Sequence, residues 1–247
     1  MCFTLIQYRT LDEAPVLVAF NREEFFKRQS MAPAVQPGDP QVLCATDREA
    51  GGTWLGVNEN GLFVAVTNRL KPLRPQGARS RGLLCLDLLR CRSAGEAVEL
   101  AVVELETGRY AGANYICADA QSGTVVQSGQ RLEVVELEPG RHLLTNCDLD
   151  DCCDERQAHA WDFLGDTIAA SVADFLSAAR DLCSLRADGS GRPGIVRRGL
   201  GVGTVSSTLV ALARQPEQSI YHYANGAPDE HPYEDYSPAL QQLLGQG

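Results

Sequence analysis

The chain has 247 residues, a 44% apolar fraction, and 32 acidic residues against 22 Lys and Arg, for a net charge of −10. Such a length can bury a sizeable core, and the negative charge disfavours nonspecific attraction to nucleic acid or to an anionic membrane surface. Nine cysteines, an odd number with no apolar leader before them, read as a reduced chain rather than a disulfide framework. No run is long enough to span a bilayer, so the chain is expected to be cytoplasmic, with no nucleic-acid partner and no membrane span.

The first residues, Met1 to Tyr8, place a thiol directly behind the initiator methionine. Removal of Met1 would make Cys2 the terminus. It would then carry a nucleophile together with an α-amine that titrates near pH ~8 and can serve as a base. Phe3, Thr4, Leu5 and Ile6 predict a strand covered on both faces. A polar turn at Asp12 and Glu13 leads to a second strand over Val16 to Phe20, and Asn21-Arg22-Glu23-Glu24 follows as a polar group at the strand's end. Met31 to Pro40, rich in Pro and Gly, predicts a surface loop, and Val42 to Thr46 a short strand. Gly51-Gly52-Thr53-Trp54-Leu55-Gly56-Val57-Asn58 leads through Glu59, Asn60 and Gly61 into Leu62 to Asn68, two apolar runs joined by an Asn-Gly tight turn.

Two helices are predicted next. One covers Gly82 to Leu89, and one follows Ser93, whose spacing to Glu96 has the form of a capping box. Short runs at Asn114 to Cys117, Thr124 to Gln127, Leu132 to Leu137 and His142 to Thr145 return the chain to antiparallel strands. Helices are expected from Asp154 to Leu164 and from Ser171 through Leu182, a Gly/Pro loop at Asp188 to Gly194, and strands at Val202 to Ala213 and Ser219 to Tyr223. The order strands, helices, strands, helices, strands suits an α+β fold in one domain over residues 1–247, with two antiparallel sheets face to face and helices on both outer faces.

Met-Cys at the start, Asn21-Arg22-Glu23-Glu24, Thr46-Asp47, the Gly51 to Asn58 segment and Thr67-Asn68 together resemble the NRDE family (transport and Golgi organisation protein-like). Leu144-Thr145-Asn146 and Gly203 to Thr208 continue the match in order. The resemblance implies the αββα four-layer sandwich of N-terminal-nucleophile hydrolases, and a kinship to cysteine amidases such as penicillin V acylases and bile salt hydrolases. It implies a hydrolase that cleaves a non-peptide C–N bond of a small acylated substrate through an acyl-enzyme on Cys2. Arg22 would stabilise the thiolate, with Glu23 or Glu24 orienting Arg22 or the terminal amine, and Asn68 and Asn146 would donate to the oxyanion. Glu24, Asp47 and Trp54 are assigned to the substrate, with Trp54 also suited to simple core packing.

Two positions depart from the family pattern: Glu23 where Asp is usual, and Val205 where the family commonly has Arg. Val205 favours an alternative reading, a noncatalytic lipid- or haem-binding trafficking protein on the same scaffold. The hydrolase reading needs no cofactor, haem enters only under the alternative, and the sequence sets no oligomeric state. The dense group Cys147, Asp148, Asp150, Asp151, Cys152, Cys153 and His159 lacks paired Cys-x-x-Cys knuckles and a Ca²⁺-loop glycine, and is read as an acidic loop entering a helix rather than a metal site. The tail with Tyr221, His222, Tyr223, His231 and Tyr233 is read as surface cover.

Overall fold

A computed structural model describes residues 2–72, 75–189 and 191–245. Among these, thirteen strands and five α-helices form two antiparallel sheets, the expected α+β class. The chain divides into two compact units, Met1–Lys27 with Pro139–Ser237, and Arg28–Glu138 with Pro238–Gly247.

The first unit is built on β1 (Phe3–Tyr8) and β2 (Val16–Phe25). The second begins with β3 (Ser30–Gln36), β4 (Val42–Asp47), β5 (Leu55–Asn58) and β6 (Phe63–Asn68). Helices α1 (Arg81–Leu88) and α2 (Ala94–Glu106) come next, then β7 (Ala113–Ala118), β8 (Gly123–Ser128) and β9 (Leu132–Glu136). The chain re-enters the first unit through β10 (Gly140–Leu144), α3 (Glu155–Leu164), α4 (Val172–Cys183), β11 (Val202–Leu212), β12 (Ile220–Ala224) and β13 (Glu234–Asp235), and ends in α5 (Ser237–Leu244). The six-stranded sheet has the order β10-β1-β2-β11-β12-β13, and the seven-stranded sheet the order β3 to β9 in sequence.

In the first unit both faces of β1 and of most of β2 are buried, and one of them packs on α4. Phe3, Leu5, Leu17, Ala19 and Leu209 present their side chains to Phe175, Leu176, Ala179 and Leu182 of α4, whose apolar positions recur at helical spacing. Each large side chain buried there contributes about 2 kcal/mol. The three caps read from sequence form: Ser93 accepts from Glu96 N, Asp154 from Gln157 N at 2.8 Å, and Ser171 from Asp174 N at 3.1 Å. Glu96 reaches back to Arg92 N at 2.8 Å, one residue further than a capping box requires.

Three expectations change. Asn21 to Glu24 do not follow a strand but lie inside β2, because β11 runs beside it from Val16 to Phe25 and pairs each of those four residues. Residues 30–36 are a strand rather than a loop. Pro33 is tolerated because β3 is the edge of its sheet and its register shifts between Met31 and Ala34. The aromatic tail is not surface cover: Tyr221 and Tyr223 are fully buried in β12, and Tyr233 shares a hydrogen bond with Ser207 at 2.7 Å. Among the described residues no helix is long and apolar enough to cross a membrane.

Candidate active site

Cys2 sits one residue ahead of β1 and is buried. The β1–β2 ladder pairs Phe3 with Asn21, so the next step of the same register brings Cys2 level with Arg22. On the other side of β1, Asn146 lies two residues past the pair Thr4 and Leu144, as Cys2 lies two residues before it. Arg22 and Cys2 thus share one end of β2 and β1, and Asn146 lies two residues beyond the end of β10. Alternation along a strand sends neighbouring side chains to opposite faces. Asn21 donates to Cys183 O at 2.9 Å on the helix face, so Arg22 shares the other face with Cys2.

Glu23 returns to the helix face. Its carboxylate is fully buried and takes both arms of Arg156 from α3, one at 3.2 Å and the other a very short contact, and Arg197 stands 4.0 Å away. Arg156 also donates to Ile195 O at 2.9 Å and lies over the Phe3 ring. Opposite these residues β11 carries a bulge: Thr204 pairs with Glu23 and Ser206 with Arg22, leaving Val205 as the extra residue. Bulges of this kind re-aim side chains beside functional sites. Arg197 is tied to the same place, since Arg197 N donates to Thr204 Oγ1 and Thr204 N to Arg197 O, both at 2.9 Å.

Burial pushes the Cys2 thiol above its ordinary pKa, against the pull of a hydrogen bond from the Glu23 backbone and of the Arg22 charge. Burial also raises the Glu23 carboxyl, with Arg156 opposing the shift. Beside the Glu23 and Arg156 pair a cavity of about 860 Å³ opens within the first unit, lined in part by Cys147, Cys153, Asp154, Arg156, Arg197 and Arg198.

The remaining sequence-predicted residues are placed as follows. Glu24 accepts from the neighbouring Phe25 N at 2.9 Å. Asp47, Trp54 and Asn68 belong to the second unit. Asp47 receives Arg28 at 2.6 Å and closes the turn to Gly51, and Trp54 is buried ahead of β5. Asn68 ends β6 opposite Ala113. Gly52 is required by close approach, since a Cβ there would stand 2.2 Å from the Gly82 carbonyl carbon at the start of α1. Asn58 bonds the carbonyls of Leu89 and Cys91 and accepts from Asn60 N and Leu62 N, which fixes the hairpin turn. Met1, whose removal is expected, lies outside the described residues. Sequence reasoning missed Arg156. Arg156 lies 133 positions from its partner Glu23, a separation that no local pattern signals.

The dense Cys and Asp segment is mostly occupied by its own loop. Asp150 bonds His142 and Leu143 N, Asp154 caps α3, and His159 bonds Pro193 O. Only Asp151, Cys152 and Cys153 converge among the described residues.

The architecture recurs in solved amidases. The Caenorhabditis elegans N-acylethanolamine-hydrolyzing acid amidase ortholog matches 84% of this chain and 92% of its own, with a TM-score of 0.53 at 15% identity. A mutant of the conjugated bile acid hydrolase from Clostridium perfringens matches 96% of each chain, with a TM-score of 0.51 at 14% identity. At such identity the likeness is one of fold alone, a sandwich of the N-terminal-nucleophile-hydrolase type. A sequence profile of Transport and Golgi organisation 2 matches residues 1–178, and the chain belongs to that family, in keeping with the NRDE resemblance. The Transport and Golgi organization protein 2 homolog of Bos taurus is 36% identical over 140 residues, 53% of this chain and 50% of that protein. The chain thus spans about half the length of the curated relatives it matches.

Proposed function

We propose that the chain is an N-terminal cysteine hydrolase that cleaves the C–N bond of a small acylated amide. The reading is supported by Cys2 level with Arg22 at one end of β1 and β2, with Asn146 two residues beyond β10, on a fold shared with amidases. With Met1 removed, the α-amine of Cys2 takes the thiol proton and the sulfur attacks the carbonyl carbon. Arg22 favours the thiolate, and the side-chain amide of Asn146 donates to the oxyanion. The amine leaves with a proton, and water then attacks the thioester and releases the acid. Glu23, held by Arg156 and Arg197, fixes the backbone that bonds the Cys2 sulfur. By family resemblance alone, Asn68 is proposed as a further oxyanion donor, and Glu24, Asp47 and Trp54 as substrate residues. No step uses a cofactor, and the proposed location is cytoplasmic.

The test pairs intact mass with turnover. Cell-made protein should lack Met1 and hydrolyse members of a panel of N-acyl amides, and Cys2→Ala should abolish that hydrolysis while keeping its melting temperature. Full turnover by Cys2→Ala would exclude the mechanism.

Val205, in the bulge where the family commonly has Arg, favours a second reading: a binding protein that carries a lipid or haem on this scaffold. That reading expects equal ligand affinity for the parent chain and Cys2→Ala, with no product from either.

A further inference from the structure

We propose that Cys152 and Cys153 are a paired-thiol modification site, oxidised reversibly to a disulfide by low-molecular-weight disulfides of the glutathione type, at the lip of the arginine-lined cavity. The two residues occupy the centre of a turn closed by Asp154 N donating to Asp151 O at 3.1 Å. The turn is pinned by Cys153 N donating to Asp151 Oδ1 at 2.9 Å. Both thiols are exposed, and their sulfurs and the Asp151 carboxylate lie within 4.8 Å of one another. The other seven cysteines are buried or half-buried, and of these only Cys147 joins Cys153 in lining the cavity.

The chemistry is two thiol–disulfide exchanges. One Cys thiolate attacks a sulfur of glutathione disulfide and expels a glutathione thiolate; the neighbouring thiolate then attacks the mixed disulfide and expels the second. The chain loses two hydrogens, and one small disulfide becomes two thiols. Adjacent Cα atoms lie about 3.8 Å apart, short of the range of roughly 4.4–6.8 Å usual for disulfides, so the bond is strained and readily reduced. That suits a reversible mark better than a structural cross-link. The strained ring would sit directly before Asp154, which caps α3, and three residues before Arg156, which grips Glu23. The inference stands on the turn alone and does not depend on the hydrolase reading.

The reduced full chain is incubated with glutathione disulfide, remaining thiols are alkylated, and peptides are read by mass spectrometry. The peptide spanning residues 142–156 should lack two hydrogens, resist fragmentation between 152 and 153, carry alkylated Cys147, and revert with dithiothreitol. Cys147→Ser should behave alike, and Cys153→Ser should retain glutathione on Cys152, with no neighbour to expel it. The bond should form several-fold faster in the native chain than in urea, because the turn holds the sulfurs together. Alkylation of both thiols, a lasting glutathione adduct in the parent chain, pairing with Cys147, or equal rates in the two solvents would each overturn the proposal.

Discussion

Glu23 is the residue whose surroundings bear most weight. A carboxylate with no exposed surface is sustained by Arg156, itself only 13% exposed, through two hydrogen bonds. Removing one partner of a buried pair strands the other, which costs more than the pair contributes to stability. Arg156→Met should therefore destabilise the fold by about 3 kcal/mol, at the lower end of the range for such pairs because Arg197 remains nearby. Adding Glu23→Gln should recover part of that loss by removing the stranded charge, and urea unfolding of both variants decides it. A double variant less stable than Arg156→Met would show that Glu23 is held for some reason other than its charge. Cys2, by contrast, is raised in pKa by its burial, against the lowering pull of the Arg22 charge.

At the scale of elements, the helices were legible because their signals are local. Ser93, Asp154 and Ser171 each stand where a cap must stand, and the Asn60-Gly61 turn announces its hairpin. The extension of β2 through Glu24 was not legible, since it depends on β11, about 180 positions away, a long-range pairing that leaves no mark on the polar residues it recruits. Arg22, Cys2 and Asn146 were named residue by residue from resemblance, but the register that sets Cys2 level with Arg22 could come only from the β1–β2 ladder. Asp154 joins both kinds of information: it caps α3 and also accepts from Thr145 Oγ1 at 3.1 Å. Asp154→Ala should cost about 1–2 kcal/mol, read as a lowered urea midpoint, and Asp154→Asn should recover most of it. A second clasp, Asp229 with Arg186 and Arg198, links the loops on either side of β11 and β12. Burial raises the Asp229 pKa, but hydrogen bonds from Arg198 and Arg186 outweigh it, so the net shift is downward. A carboxyl depressed in the folded state adds stability above its unfolded pKa, near 4, and loses it as pH falls through the folded value. Asp229→Asn should thus lower the melting temperature at pH 7 and lose its difference from the parent chain in strong acid.

For the whole molecule, the reduced cysteines supply a probe that the fold itself distributes. All nine are free: Cys152 and Cys153 are exposed, Cys91 and Cys147 half-buried, and Cys2, Cys44, Cys85, Cys117 and Cys183 buried. Buried sulfur packs as a small hydrophobe, and burial pushes the Cys44 thiol up to about 11 and Cys183 to about 12. An aromatic disulfide reagent at pH 8 should therefore titrate two thiols per native chain quickly and two more slowly, and reach five only through opening of the structure. Those five divide between the compact units, Cys44, Cys85 and Cys117 in one and Cys2 and Cys183 in the other. Followed by mass spectrometry, they report each unit's opening separately. The proposal of one domain over residues 1–247 requires a common rate for all five, as cooperative unfolding gives. Two distinct rates, divided along the boundary between the units, would make each a folding unit in its own right and retire that proposal.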